Sequence, residues 1–126
     1  MAGLRVTVVE DGDRPVLPPG FEVAVYRVVQ EALTNVLVHA GPTDVDLRLS
    51  HPGPEGGDLL VEVVDRGPAD GHHPSRSARP GHGLVGMRER VALLGGDLRA
   101  GPEDAGYAVR VRLPLPRPAR QPAAVL

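Results

Sequence analysis

The chain has 126 residues, a net charge of −2 and no cysteine, enough for one domain with a single core but excluding disulfides, thiolate metal sites and cysteine nucleophiles. The near-neutral charge and the three aromatic residues, Phe21, Tyr26 and Tyr107, offer neither a basic surface nor a stacking platform to nucleic acid. All 14 basic residues are arginine, which also excludes P-loop nucleotide binding, protein-kinase chemistry built on a strand lysine, and Schiff-base catalysis.

Residues 4–9 (LRVTVV) read as a strand, and a turn at 10–13 is expected to bring Val16 and Leu17 back beside it. Pro18-Pro19-Gly20 starts a long helix over 21–40, FEVAVYRVVQEALTNVLVHA, which Gly41-Pro42 ends. Arg27, Glu31, Asn35 and His39 recur there every four residues and form one polar stripe on an otherwise apolar helix. Asn35 is the only asparagine in the chain, and an interior helical asparagine costs about 0.5 kcal/mol relative to alanine. Two readings of the stripe stand side by side: a solvated face with an i,i+4 Arg27–Glu31 pair, or a surface turned toward a charged ligand.

Residues 45–49 (VDLRL) alternate as a half-buried strand, 51–58 form a Pro/Gly turn, and 59–64 (LLVEVV) read as a more buried strand completing a hairpin. Residues 65–80, DRGPADGHHPSRSARP, have no apolar periodicity and the length of a functional lid. Gly83 opens a second helix, LVGMRERVALL, with Leu84, Met87, Val91 and Leu94 on its buried face and Gly95-Gly96 as its cap. Residues 97–100 and 107–113 form a closing hairpin around GPEDAG, and 115–126 read as a Pro-rich disordered tail. The order predicts an α+β fold over residues 1–114, with two or three helices on one face of a mixed, mostly antiparallel sheet.

Gly81-His82-Gly83-Leu84-Val85-Gly86 matches the dinucleotide pattern G-x-G-x-x-G, and Glu103 or Asp104 has the spacing of its acid. The pattern also requires a strand immediately before the first glycine, and residues 75–80 are not one. What remains is a glycine turn leading into a helix N-terminus, where free N–H groups and the helix dipole favour phosphate. Asp65 ends an apolar strand ahead of Arg66-Gly67. A carboxylate there suits an exocyclic amine, and a glycine permits close approach by a flat ring, although Asp-x-Gly is also an ordinary turn.

Taken in order, Glu31-x-x-x-Asn35, Asp65-x-Gly67 and Gly81-x-Gly83-Leu84 resemble the N, G1 and G2 boxes of the Bergerat-type ATPases: histidine kinases, DNA gyrase, heat-shock chaperones and MutL. YRVVQEALTNVLVHA and GHGLVGMRERVALLGG are most similar to the ATP-binding domain of sensor histidine kinases of the nitrate-sensor and desaturase-sensor type, over roughly residues 4–114. The resemblance implies a two-layer α/β sandwich that binds ATP and Mg²⁺. Asn35 would hold the metal, and Glu31 would act through metal-bound water or polarise the reacting centre. Asp65 would take the adenine amino group, with Gly67 against the ring. The turn Gly81-His82-Gly83-Leu84 would hold the phosphates, with residues 68–80 as the lid. His39 either lies near the phosphates or is a half-buried helix-end histidine. Val38 stands where many relatives carry lysine, so Arg66, Arg76, Arg79 or Arg88 would have to compensate, and Ala69 replaces a common glycine.

In such kinases the phosphorylated histidine belongs to a separate dimerising helical hairpin, acting in cis or in trans, and the signal passes to a response regulator. None of His39, His51, His72, His73 and His82 has a helical His-Asp/Glu setting, and His72-His73 reads as surface loop rather than a metal pair. The chain is therefore expected to be the ATP-binding half of a two-component kinase. Small anti-sigma-factor serine kinases and non-catalytic nucleotide sensors are the alternatives. With no apolar run near ~18 residues and no signal-peptide core, a cytoplasmic location without membrane contact is expected.

Overall fold

Alanine and valine recur every four residues along the first helix, and their small side chains let it lie close on a sheet. In the computed structural model, which describes residues 3–14, 16–54, 56–68 and 82–115, helix α1 runs Pro19–His39. Ala24, Val28, Ala32 and Val36 are buried in it, and Ala40 continues the row. Proline opens the first turn, where a missing N–H costs nothing. At the other end Gly41 takes φ +73° and its N–H donates to the Leu37 carbonyl at 3.1 Å, closing the helix in the left-handed cap that glycine favours.

Strand β1 (Leu4–Asp11) precedes α1, and β2 (Thr43–Ser50) and β3 (Gly57–Asp65) follow it as an antiparallel pair with Ser50 opposite Leu60. Helix α2 (His82–Leu93) and the hairpin of β4 (Asp97–Glu103) and β5 (Gly106–Leu115) complete the described elements. The strands stand in the order β1-β2-β3-β5-β4, with only β1 and β2 parallel. Both helices pack on one face, so the two-layer α/β sandwich expected from the sequence is the fold. Val28, Val45, Leu59, Val61, Val63, Met87, Val91, Val111 and Leu113 fill the space between the layers.

One expectation needs correction. Val16 and Leu17 do not return beside β1. Val16 is fully exposed, and the neighbour of β1 is β2 across the parallel ladder Leu4↔Thr43 to Asp11↔Ser50. One apolar pair cannot outcompete an eight-residue partner strand. As expected, β3 is more buried than β2: Leu59, Val61, Val63 and Asp65 point inward, alternating with more open residues, because among the described residues only one face of the sheet carries a second layer and the other is left open. On that open face Arg110 bridges Glu62 and Glu103 at 3.1 and 3.0 Å, and Arg112 bridges Asp97 and Asp58 at 2.8 and 3.4 Å. The segment expected to be a lid beyond residue 68, with Gly81, His72, His73, Arg76 and Arg79, lies outside the described residues, as does the tail after residue 115.

The end of β3 is held by close backbone contact. A Cβ on Gly106 would lie 1.9 Å from the Asp65 carbonyl oxygen, and one on Gly67 would lie 2.1 Å from that of Ala105. Gly67 also has φ +86°. The β4–β5 turn is thus clamped on the residues that finish β3. Gly106→Ala is expected to cost about 3 kcal/mol, because strand backbone rather than a flexible side chain must move. Urea unfolding checks this: the midpoint should fall with an unchanged slope, and a midpoint equal to the parent's would refute the clamp.

Candidate functional site

Four separate stretches of chain meet at this clamp around one cavity of about 210 Å³. Helix α1 brings Asn35, His39 and Ala40 to it, the end of β3 brings Asp65, Gly67 and Pro68, α2 brings Leu84, and the β4–β5 turn brings Ala105, Gly106 and Tyr107. The polar stripe explains the first group. Its row lies beside the buried row Val28, Ala32, Val36, Ala40, so Glu31, Asn35 and His39 are half-buried while Arg27 stays exposed. Asn35 and His39 are one helical turn apart and face the same cavity.

Asp65 is the only buried charged residue among those described, at 5% exposure. The inward face of β3 places it after Leu59, Val61 and Val63, where an apolar side chain would suit the packing. Its Oδ1 accepts the Gly67 N–H at 2.8 Å, and the Tyr107 N–H lies close enough to favour the charged carboxylate. Burial pushes its carboxyl above the ordinary range, against those two N–H groups and the nearby His39. The turn that follows is anchored too: the Thr43 hydroxyl donates to the Gly67 carbonyl at 2.6 Å, and the Arg66 N–H to the Asp44 carbonyl at 3.2 Å. A carboxylate so fixed, with its approach lined by glycine, alanine and proline, is arranged to accept hydrogen bonds from a ligand.

The family model described as histidine kinase-, DNA gyrase B-, and HSP90-like ATPase matches residues 20–117. The chain belongs to that family. Among curated proteins, the sensor histidine kinase YxjM of Bacillus subtilis (strain 168) is 33% identical over 99 residues, 78% of this chain and 22% of that protein. Among solved structures, the blue-light activated histidine kinase EL346 of Erythrobacter litoralis superposes with a TM-score of 0.66 at 27% identity, covering 91% of this chain and 39% of that one. The mycobacterial sensor histidine kinase MprB, at 23% identity and a TM-score of 0.61 over 92% of this chain and 86% of that one, shares the fold. The chain thus spans about a fifth of the curated relative's length.

In this member of the ATPase family, Asn35, His39, Asp65, Gly67 and Leu84 come together as a cluster, although 49 positions separate the first from the last. Glu31 stands one turn before Asn35 but outside the cavity lining, and one of its oxygens is ion-paired with Arg90 of α2. Its other oxygen, Oε2, is buried and has no hydrogen-bond partner among the described residues. Gly81 and the side chains of His82 and Gly83 lie outside the described residues, while the backbone of His82 already belongs to α2. A Cβ at position 67 would lie 2.1 Å from the Ala105 carbonyl oxygen, so the glycine there permits the close approach of the β4–β5 turn, and it also lines the cavity. Of the arginines expected to compensate for Val38, Arg66 pairs with Asp46 at 3.4 Å on the sheet side, and Arg88 is exposed on α2.

Sequence reasoning missed Ala40, Pro68, Ala105, Gly106, Tyr107 and Arg90. The hairpin residues carry no motif; only the pairing of β5 with β3 brings their turn to Asp65. Glu103 and Asp104 do not serve as a dinucleotide acid: Glu103 is bound to Arg110 on the open sheet face, and Asp104 forms the turn with φ 51°. Among the described residues no group of three or more His, Cys, Asp or Glu is placed to hold a metal by itself. No helix among them is long and apolar enough to cross a membrane.

Proposed function

We propose that this domain binds ATP with Mg²⁺ and transfers the γ-phosphoryl group to a histidine on a partner helical hairpin, as the catalytic half of a sensor histidine kinase of the nitrate-sensor or desaturase-sensor type. One observation carries the reading: a buried, hydrogen-bonded carboxylate, Asp65, shares a cavity with the Asn35 carboxamide and the His39 imidazole. A cavity of about 210 Å³ is smaller than the ~300 Å³ at which whole-ligand pockets begin. It suits a base, with the phosphates extending toward the N-terminus of α2.

Asp65 accepts from the adenine amino group, and Gly67 and Pro68 form the edge against which the base enters. Asn35 supplies a neutral oxygen to the metal, which fits Mg²⁺ because that ion takes few protein ligands and completes its shell from phosphates and water. The first N–H groups of α2, at Gly83 and Leu84, face phosphate with the positive end of the helix dipole. Bound Mg²⁺ spreads the charge of the transferring group, and the chain's part is positioning and neutralisation. Glu31 is held for the reacting end by Arg90, with Oε2 left over for a proton or a water. A neutral imidazole is a competent nucleophile near pH 7, so no strong base is required. The response regulator is the downstream partner and the location is cytoplasmic in this reading. The sensor-kinase relatives favour it over a serine kinase or a passive nucleotide sensor.

Calorimetry with ATP and GTP in the presence of Mg²⁺ tests the base assignment. Guanine offers a carbonyl where adenine offers an amine, so it sets acceptor against acceptor at Asp65. ATP is expected to bind about a hundredfold more tightly or better. Equal affinities would sink the adenine site.

A further inference from the structure

The structure assigns to Tyr107 a part that neither the motifs nor the family description contains. In the β3–β5 ladder Val63 stands opposite Val109 and Val64 opposite Ala108. One further step of that register sets Asp65 across from Tyr107, at the spacing where cross-strand side chains touch. Both point to the helix side, because Asp65 continues the inward row Leu59, Val61, Val63, and Tyr107 begins the inward row Val109, Val111, Leu113. The Tyr107 backbone N–H lies near the Asp65 carboxylate, and its half-buried side chain lines the same cavity. The clamp at Gly67 and Gly106 fixes this placement, since neither strand end can shift without backbone collision.

Tyr107 packs against the margin of a core of Val, Leu, Ala and Met, and among the described residues it is the one Phe, Tyr or Trp in the cavity lining. The other residues that approach Asp65 from β3, α2 and the turn are small or aliphatic: Gly67, Pro68, Leu84, Ala105 and Gly106.

We infer that Tyr107 is a specificity-determining residue of this site, whose ring is the surface against which a flat, amino-bearing base held by Asp65 packs. The inference rests on the proposed nucleotide site and extends it. Asp65 reads the edge of the base and Tyr107 its face. An edge contact alone leaves a ring free to swing, whereas a face contact holds it in plane and favours aromatic bases over other amines. Base–aromatic stacking of this kind is worth about 5- to 150-fold in affinity on removal of the ring.

The chain provides its own reporter, having no tryptophan and two tyrosines, of which Tyr26 is 67% exposed on α1. In the full-length Tyr26→Phe variant every tyrosine photon comes from Tyr107. Titration with Mg²⁺-ADP should change that emission with the midpoint found by calorimetry, while inorganic pyrophosphate should leave it unchanged. Tyr107→Phe should keep ADP affinity within about threefold and lose the optical signal. Tyr107→Ala should weaken ADP about 5- to 150-fold without altering pyrophosphate binding. ADP that binds by calorimetry but leaves Tyr107 emission unchanged, or that binds a folded Tyr107→Ala variant as tightly as the parent, overturns the inference and leaves the nucleotide site standing. An equal response to pyrophosphate overturns it too, since the base would then be irrelevant. Should Tyr107→Ala not fold, the Tyr26→Phe titration decides. No ADP heat from the parent chain would overturn the nucleotide site itself, and this inference with it.

Discussion

Asp65→Asn is expected to weaken adenine nucleotides about a hundredfold or more while leaving the chain as stable as its parent, or slightly more so. The two halves of this result have separate causes. Binding is lost because the amide turns a donor toward the base amino group, and a buried unmatched donor costs far more than a missing contact at the surface. Stability is kept because Asp65 is a desolvated carboxyl whose folded pKa lies above its unfolded value of about 3.8. Between those two values the folded state holds the proton more tightly, so stability falls as pH rises through the window. Above the window the buried charge is a constant cost, which asparagine removes. Its carbonyl can still accept from the Gly67 N–H that the carboxylate now serves.

Acid then acts in opposite directions on fold and ligand. Lowering the pH through the raised Asp65 value should favour the empty fold and weaken ADP, because a protonated carboxyl is a poorer acceptor. Calorimetry across that range, with thermal unfolding beside it, checks both signs. Affinity that holds constant through the titration of Asp65 would show that the carboxylate does not meet the base.

The second large effect belongs to Asn35. With a histidine-bearing helical hairpin supplied in trans, Asn35→Ala should lower phosphoryl transfer at least a hundredfold and abolish the gain in ATP affinity that Mg²⁺ gives, while ADP without metal binds as before. Loss of one preorganised ligand at a reacting phosphate has effects of that size. The fold should survive, because Asn35 lies on the half-buried stripe beside the core row and alanine is the better helix former by about 0.5 kcal/mol. Glu31→Gln should slow transfer and spare binding, since Glu31 stands outside the cavity lining. The chain alone should not label itself. His39 closes α1 at the cavity, and the His51 side chain is buried at 4% exposure against Glu10, 3.2 Å away. Acid-labile labelling of the chain by itself that persists in Asn35→Ala would contradict both the metal site and the need for a partner histidine.

Much of this was legible in the residues one stretch at a time. Proline before and glycine after an apolar repeat marked α1 to within two residues at its start and one at its end, because caps are local chemistry. Alternation marked β2 and a short apolar run marked β3, and the resemblance to the N, G1 and G2 boxes named Asn35, His39, Asp65, Gly67 and Leu84, which line the cavity. Which element lies against which was decided only in three dimensions. Periodicity reports that a face is buried and is silent about what covers it, so Glu31 read equally well as the partner of Arg27, four residues away. In the fold its partner is Arg90, because α2 packs along α1. The same holds for β1, whose pairing with β2 rather than with Val16 and Leu17 rests on a parallel ladder formed across the whole of α1. Tyr107 is the clearest case. Nothing at Tyr107 itself points to a ligand, and it reaches Asp65 only because β5 pairs with β3 as well as with β4, a contact between residues more than 40 positions apart.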